Sequence, residues 1–478
     1  MQMKKLLFYT LLILMGSSVY AQKGYDLKFK IEGLADTTVY LGNFFGESTY
    51  VKDTARVGKN GEFAFAGKKP LEEGVYFIVL NKTRLFDILI SDDQQFSMQT
   101  KHPEYVANMK VSGDVENEVF FANLLYNSAR NEEAQPYVTV LRDSTSSEAS
   151  KSAARAELEK LNKKVMAHQD ELIGKYPESL LTKIFNANKK IDVPEPPVLD
   201  NGKIDSTFSY RYYKTHYWDN FDLADPAMIR LSEPVYKKRV EDYLDKLLIQ
   251  HPDTLTNAIN QLADVTKANK DTYKYFIWMV TVKYQNPEIM GLDEVFVNIY
   301  DRYFASGDMD YWANDQLKKN LKERADQLRL SLLGMKAPNL IMLDENLQAK
   351  SLYDLKNKYT VIYFYDPDCG HCKKETPKLK QFTDDTSFDV SVFAVSADTS
   401  MVKMKKYIKD MHLEPWVTVN GPRTYTEHYQ KLYDAFTTPT IYVLDEKKKI
   451  IAKKVPAEKL EDFLTRYEKM EALRKEEN

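Results

Sequence analysis

The spacing of apolar residues along the first hundred positions is that of short β-strands. Phe63 and Phe65 alternate with Glu62 and Ala64, as a strand with one buried face requires. Asn60-Gly61, placed between Val57 and Phe63, predicts a tight hairpin turn. A sandwich or barrel-like all-β domain is therefore expected over residues 22–113. The predicted strands are Leu27–Ile31, Thr38–Leu41, Thr49–Val51, Glu62–Phe65, Val75–Leu80, Phe86–Ile90 and Gln95–Gln99.

From about Val115 the apolar spacing becomes helical and stays so to Leu333. Thr145 and Glu148 match a helix-capping box, and apolar residues follow at helical spacing. Gly174 stands where that helix is expected to end. The pattern predicts an all-α domain over residues 114–333. The apolar positions of its first helix are Leu158, Leu161, Val165 and Leu172.

Beyond Gly334 strands and helices alternate, which predicts an α/β domain over residues 334–478. Val361 to Tyr365 has the composition of a buried strand, and it breaks at Asp366-Pro367-Asp368. Cys369-Gly370-His371-Cys372 then opens a helical pattern. Free N–H groups and the dipole at a helix N-terminus favour a thiolate, so Cys369 is the expected nucleophile. Cys372, one turn further, can close a short disulfide with it.

Three other interpretations of the cysteine pair remain. A zinc site would need further ligands, and the chain has 2 Cys and 7 His with no second CxxC or HxxxH. A structural disulfide would close a loop too short to restrain the unfolded chain much. Inert free thiols are the third interpretation. The strand–turn–helix context favours redox chemistry, and no metal or organic cofactor is implied.

Several motifs of residues 334 to about 470 resemble the thioredoxin fold, and more closely its TlpA/ResA-like branch. Gly334 to Asp344 is similar to that branch's leader, and Cys369 to Cys372 takes the place of its CxxC. Pro377 matches the proline that kinks the active-site helix, and Thr438-Pro439 matches the cis-proline turn. Glu375 stands where ResA-like proteins have a glutamate associated with proton handling.

The resemblance implies an exported thiol-disulfide oxidoreductase that exchanges disulfides with protein partners and depends on a separate redox partner for electrons. Cys369 attacks, Cys372 resolves the mixed disulfide, and His371 tunes the thiolate. Thr438-Pro439 would dock an extended substrate segment. Gly370-His371 is the dipeptide of protein disulfide isomerases, whereas the family resemblance favours a reductant. The redox direction therefore stays open.

The first residues have the pattern of a signal peptide. Met1 to Lys5 is basic, Leu6 to Met15 is almost wholly apolar, and Val19-Tyr20-Ala21 offers a cleavage site after residue 21. The apolar run is short for a membrane span, and no later stretch is long and apolar enough. These features predict a soluble periplasmic protein.

Charge and length limit the remaining function classes. Lys+Arg 67 against Asp+Glu 70 gives a net charge of −3, with no basic patch that would indicate nucleic acid binding. The 478 residues are enough for about three domains.

The rival function is a periplasmic binding protein that captures a peptide, glycan or protein with its first two domains. Two aromatic groups are candidates for such a surface, although core packing and helix docking are the favoured interpretations of them. The first group is Tyr40, Phe44, Phe45 and Tyr50, and the second is His216, Tyr217, Trp218, Asp219 and Asp222.

Overall fold

The computed structural model describes residues 24–476, so the predicted signal peptide lies outside the described residues. Contacts divide the chain into two compact units, one ending at Lys238 and one beginning at Arg239. The division falls within a helix, and the predicted boundary between residues 333 and 334 lies inside the second unit. Within residues 24–476, no helix has both the length and the apolar character needed to cross a membrane.

The first unit begins with a β-sandwich, described here over residues 24–112. Its two four-stranded sheets have the strand orders β4-β1-β7-β8 and β3-β2-β5-β6. Alternate side chains of each sheet, among them Phe29, Phe65 and Ile78, are buried in one shared core. The strands are β1 (Asp26–Glu32), β2 (Thr38–Phe45), β3 (Ser48–Arg56), β4 (Glu62–Ala66), β5 (Gly74–Leu80), β6 (Thr83–Ile90), β7 (Gln95–Lys101) and β8 (Lys110–Ser112).

The hairpin predicted at Asn60-Gly61 is wrong, because the strands on either side of this turn do not pair with each other. A tight turn is present, and Gly61 has φ +82°, with the Ile31 carbonyl oxygen 2.2 Å from where a Cβ would lie. However, β3 pairs with β2, and β4 pairs with β1 in the other sheet. The turn residues therefore mark a crossing between the sheets. Local turn chemistry does not specify which strand is the partner.

Helices complete the first unit. The predicted capping box is displaced, because Ser147 is the N-cap and its Oγ accepts the Ser150 N–H at 3.1 Å. Thr145 instead bonds to Asp143 through its backbone N–H and hydroxyl. The helices are α1 (Val115–Arg142), α2 (Glu148–Lys175), α3 (Leu180–Asn188), α4 (Phe208–Thr215), the 3₁₀-helix Pro226–Ile229 and α5 (Val235–Lys246), which spans the division.

The second unit starts with helices that precede the α/β part. Their buried faces carry aromatic and aliphatic side chains at helical spacing, such as Phe276, Val280 and Tyr284. The helices are α6 (Pro252–Thr266), α7 (Lys270–Gln285), α8 (Asp293–Ile299) continuing into the π-helix Tyr300–Phe304, and α9 (Asp315–Arg329).

The α/β part is built on a seven-stranded sheet, in the order β10-β9-β13-β12-β11-β14-β15, within the described residues. β11 is buried along its whole length between parallel β12 and antiparallel β14. Such burial on both faces explains the continuous apolar run. The strands are β9 (Ile341–Asp344), β10 (Ala349–Ser351), β11 (Tyr359–Tyr365), β12 (Val390–Ser396), β13 (Val417–Thr424), β14 (Thr440–Leu444) and β15 (Ile450–Lys453).

Helices pack on this sheet and form a thioredoxin-like α/β arrangement. Leu379, Met404 and Leu460 share a core with Tyr363 and Val443 on one face. The predicted multidomain class, with a β-sandwich, a helical middle region and a thioredoxin-like C-terminal part, is confirmed. The helices are α10 (Gly370–Asp385), α11 (Met401–Asp410), α12 (Tyr429–Leu432) and α13 (Leu460–Glu476), with short 3₁₀ turns at Leu352–Asp354 and Ala457–Lys459.

Candidate active site

Cys369 is the N-cap of α10, at the point where the chain leaves β11. The intervening turn is closed by the Asp368 N–H, which donates to Asp366 Oδ1 at 2.7 Å. The Cys369 sulfur accepts the Cys372 N–H at 3.4 Å. It therefore takes the position that a Ser, Thr, Asp or Asn oxygen usually occupies at a helix start.

The Cys369 thiol is half-buried and electrostatically activated. Burial of the sulfur raises its pKa, but hydrogen bonds act in the opposite direction and prevail. The Cys372 N–H, the Thr438 side chain and the His371 N–H all favour the thiolate, so the pKa of Cys369 lies below its ordinary value. A thiolate that solvent can reach is the form that reacts.

Cys372 is fully buried, and the pKa of its thiol is shifted in the direction opposite to that of Cys369. Burial raises the pKa of its thiol to about 12, although the Asp366 N–H donates to the sulfur at 3.4 Å. Both residues are thiols in this structure. The two sulfurs, three positions apart, therefore differ in exposure and in proton affinity. One is prepared to attack, and the other is protected until the first has reacted.

The turn before β14 faces the nucleophile. The Thr438–Pro439 peptide bond is cis. The Cys369 thiol donates to the Thr438 carbonyl oxygen at 3.4 Å, and the Thr438 side chain favours the thiolate of both cysteines. Thr440 Oγ1 donates to the Thr437 carbonyl oxygen at 2.6 Å and closes the turn. The structure thus brings the predicted Thr438-Pro439 turn together with the cysteine pair.

Gly370 and His371 lie exposed in the first turn of α10. A Cβ at Gly370 would meet no atom within 4 Å, so packing does not require a glycine there. The backbone N–H of His371 favours the Cys369 thiolate. The tuning role predicted for the His371 imidazole stays a prediction.

Glu375 and Pro377 lie further along α10. Glu375 Oε1 accepts the Ala457 N–H at 2.6 Å, and its Oε2 is 3.8 Å from the Lys378 ammonium group. The Glu375 side chain is 15% exposed. Its hydrogen bond from Ala457 connects α10 to the segment that precedes α13. Pro377 is inside α10, as the resemblance implies, and it removes one backbone donor there.

Buried hydroxyl groups on the core side of Cys372 were not predicted from the sequence. The Thr376 hydroxyl, which is fully buried, bonds to Tyr363 at 2.8 Å and to Tyr407 at 2.7 Å. Tyr365 stacks on Tyr363 and on Tyr407. The sequence did contain a signal for this cluster. Thr376 is one turn after Cys372, and Tyr363 and Tyr365 are alternate residues of β11, so they point to the same face of the sheet. Burial raises the pKa of Tyr407 to about 12 and also raises the pKa values of Tyr363 and Tyr365, so these phenols are neutral.

An acidic trio lies beside the cysteines. Asp366, Asp368 and Asp398 each offer an oxygen within 4.8 Å of the others. The Lys403 ammonium group is 2.6 Å from Asp368 and 2.9 Å from Asp398, so a cation of the chain offsets part of the negative charge of the trio.

The two aromatic groups of the first unit differ in their surroundings. Phe44 is buried, whereas Tyr40 and Tyr50 are 37% and 56% exposed. His216 pairs with Asp219 at 2.6 Å. Trp218, Asp219 and Asp222 line a surface cavity of about 450 Å³.

Three family models match the chain. Residues 333–453 match the AhpC/TSA family, and residues 25–120 and 147–326 match two domains of unknown function, DUF4369 and DUF5106.

Curated relatives match about a quarter of the chain. The thiol-disulfide oxidoreductase ResA of Bacillus subtilis is 27% identical over 119 residues, which are 25% of this chain and 64% of that protein. ResA of Bacillus thuringiensis subsp. konkukian is 25% identical over 136 residues, covering 28% of this chain and 76% of that protein. The alignment thus spans less than two thirds of the Bacillus subtilis protein.

Two solved structures are similar to parts of the chain. A domain of a possible thiol-disulfide isomerase from Cytophaga hutchinsonii is 38% identical, with 30% of this chain and 97% of that chain covered and a TM-score of 0.28. A thioredoxin-like protein from Bacteroides caccae is 20% identical, with 58% and 99% covered and a TM-score of 0.45.

The AhpC/TSA match includes β11, the cysteine-bearing helix α10 and the cis-proline turn, which together form the site described above. The part of the chain from residue 333 to residue 453 is therefore a thioredoxin-like domain of the AhpC/TSA family, with ResA among its relatives.

Proposed function

We propose that the chain is a thiol-disulfide oxidoreductase that acts on protein disulfides through Cys369 and Cys372. The difference between the two sulfurs carries the proposal. Cys369 is half-buried with a lowered pKa, and Cys372 is buried with a pKa of about 12. An enzyme that forms and resolves a mixed disulfide needs this asymmetry, whereas a structural disulfide does not.

The reaction follows from the positions of the sulfurs. The Cys369 thiolate attacks one sulfur of the substrate disulfide, the substrate S–S bond breaks, and the leaving thiolate takes a proton from water. Cys372 then loses its proton and attacks the Cys369 sulfur, which releases the second substrate thiolate. The substrate gains two electrons, and the cysteine pair becomes a disulfide. A dithiol partner must reduce that disulfide again, and the reverse sequence oxidises a substrate.

The Thr438-Pro439 turn is the docking element of the proposal. Thr438 presents its carbonyl oxygen toward Cys369, and an extended substrate backbone can pair with this edge as an added strand. Pairing of this kind recognises backbone groups, so it suits many protein sequences around the target cysteine.

Glu375 is the proposed proton carrier for Cys372. The variant Glu375→Gln keeps an oxygen to accept the Ala457 N–H, so it tests the carboxylate without removing that contact. We expect slower release of a trapped mixed disulfide in this variant, with unchanged alkylation of Cys369. Equal release rates would remove Glu375 from the mechanism.

Insulin reduction tests the activity. The wild-type protein should accelerate the reduction of insulin disulfides by dithiothreitol, and the Cys369→Ser/Cys372→Ser double variant should be inactive. Expression of the Cys372→Ser variant in the native host should trap partner proteins as mixed disulfides. Partners that bind without a disulfide, together with no insulin reduction, would favour the binding-protein function.

We infer a periplasmic location from the pattern of residues 1–21. Cell fractionation should find the protein with periplasmic markers, and its first residue should be Gln22. A protein that keeps Met1 and stays in the cytoplasm would contradict the inference.

A further inference from the structure

Helix α9 precedes the thioredoxin-like strands, yet one of its side chains binds the segment that leads into the cis-proline turn. Arg324 donates from Nη1 to Asp434 Oδ1 at 2.6 Å and from Nη2 to Asp434 Oδ2 at 3.2 Å. The two side chains are 13% and 9% exposed. A two-point contact of this kind fixes orientation as well as distance.

The guanidinium group is itself held from two sides. Its Nη2 also donates to the Gln285 carbonyl oxygen at 3.2 Å and to Asn286 Oδ1 at 2.8 Å, at the end of α7. One turn along α9, the Gln327 side-chain amide donates to the Gln430 carbonyl oxygen. Two residues on one face of α9 thus bind α12 and the segment between α12 and the turn.

Asp434 is fixed from its other sides as well. The Lys454 ammonium group is 2.6 Å from its Oδ2, and its backbone N–H donates to the Tyr442 hydroxyl at 3.1 Å. Burial disfavours the charge of Asp434, but the hydrogen bonds from Arg324 and Lys454 prevail and lower its pKa. The carboxylate is therefore ionised, and it lies four residues before Thr438, which contacts Cys369.

We propose that Arg324 is a positioning residue of the redox site, whose contact with Asp434 holds the Thr438-Pro439 turn against Cys369. The inference rests on the proposed function, and it adds α9 to the elements that build the site. A buried ion pair is weak support for stability alone, because desolvation offsets most of the attraction. Fixing one geometry of a functional turn is a role that such a pair can fill.

The test uses the full chain and the pH dependence of Cys369 alkylation by iodoacetamide, read by mass spectrometry well below the unfolding temperature. In Arg324→Met the turn loses one of its anchors, and we expect the Thr438 side chain to favour the thiolate less. We expect the midpoint of the alkylation profile to rise by roughly half a pH unit or more. Arg324→Lys, which keeps the charge but not the two-point contact, should lie between wild type and Arg324→Met.

Arg329→Met is the matched control on the same helix. Arg329 pairs with Asp301 at 2.8 Å, and both side chains are more than 40% exposed. Its loss should leave the alkylation midpoint unchanged.

Exchange with a peptide disulfide should slow more in Arg324→Met than exchange with a small aromatic disulfide, because only the peptide needs the turn.

A rise of the midpoint in Arg324→Met that Arg329→Met lacks supports the proposal, and a fall of the midpoint contradicts it. An unchanged midpoint in folded Arg324→Met overturns it. If Arg324→Met does not fold, Arg324→Lys serves instead because it also loses the two-point contact, and an unchanged midpoint there overturns the proposal. The alkylation assay uses no disulfide substrate, so a protein without insulin reductase activity would refute the proposed function and leave this test readable.

Discussion

Lys453, in the last strand of the thioredoxin-like sheet, forms an ion pair with Asp293, which lies 160 residues earlier in the chain. Their side chains are only 5% and 8% exposed. The Lys453 ammonium group also donates to the Ser331 carbonyl oxygen at 2.9 Å. Residues before position 334 therefore contribute buried polar partners to the last strand of the thioredoxin-like sheet. Cutting the chain at the predicted domain boundary would remove them.

Asp293→Asn should destabilise the protein strongly. The amide keeps the size of the carboxylate, but the Lys453 ammonium group stays buried without its counter-ion, which costs about 3–5 kcal/mol. Urea unfolding measures the loss. Asp301→Asn, which breaks an exposed pair with Arg329, should cost no more than about 1 kcal/mol. Similar losses in the two variants would mean that the Lys453 pair is accessible to water.

Alkylation should distinguish the two cysteines of the reduced protein. With a pKa of about 12, Cys372 has a thiolate fraction on the order of 10⁻⁴ at pH 8. Cys369 has a lowered pKa and is accessible, so iodoacetamide should label it first by a wide margin. Peptide mapping after short exposure gives the ratio. Equal labelling rates would contradict the assignment of Cys369 as the nucleophile.

Two substitutions at His371 should separate the effect of its ring from that of its backbone. The His371 N–H favours the Cys369 thiolate, and a protonated imidazole would add to this. A stabilised reduced form makes the pair a stronger oxidant. His371→Ala removes only the ring, whereas His371→Pro removes the ring and the N–H at a helix position that tolerates proline.

The reduction potential should therefore become more negative in both variants, and more so in His371→Pro. A loss of about 1.4 kcal/mol corresponds to roughly 30 mV. Equilibration with glutathione measures the shift. If His371→Ala equals wild type while His371→Pro is shifted, the backbone N–H alone tunes the site. A shift to less negative potentials in both would contradict the expectation.

The strands and helices around the site could be predicted from the sequence because their signals are local. Val361 to Tyr365 is buried on both faces, and a continuous apolar run is the local pattern of such a strand. The asymmetry of the cysteines also follows from the position of Cys369 at a helix start. These features depend on residues that are close in sequence.

Contacts between distant parts of the chain could not be predicted in the same way. Arg324 and Asp434 are 110 residues apart, and neither stands in a recognisable motif. Asn60-Gly61 predicts a turn correctly, but the partner strand depends on how two sheets pack. The Asp293–Lys453 pair likewise looks like two ordinary surface charges in the sequence, because burial is a property of the folded chain.

Thr376→Val should test the buried hydroxyl groups on the core side of Cys372. Valine keeps the shape of threonine, but Tyr363 and Tyr407 each lose the partner of a buried hydroxyl. An unsatisfied buried polar group costs about 1–3 kcal/mol, so for two such groups we expect a loss of roughly 2–6 kcal/mol in the free energy of unfolding. Thr376→Ser keeps the hydroxyl and removes only a methyl group, so its loss should be near 1 kcal/mol, on the order of one buried methylene. Urea titration of both variants in the reduced state gives the comparison. Equal losses would show that the methyl group, and not the hydroxyl, accounts for the role of Thr376 in the core.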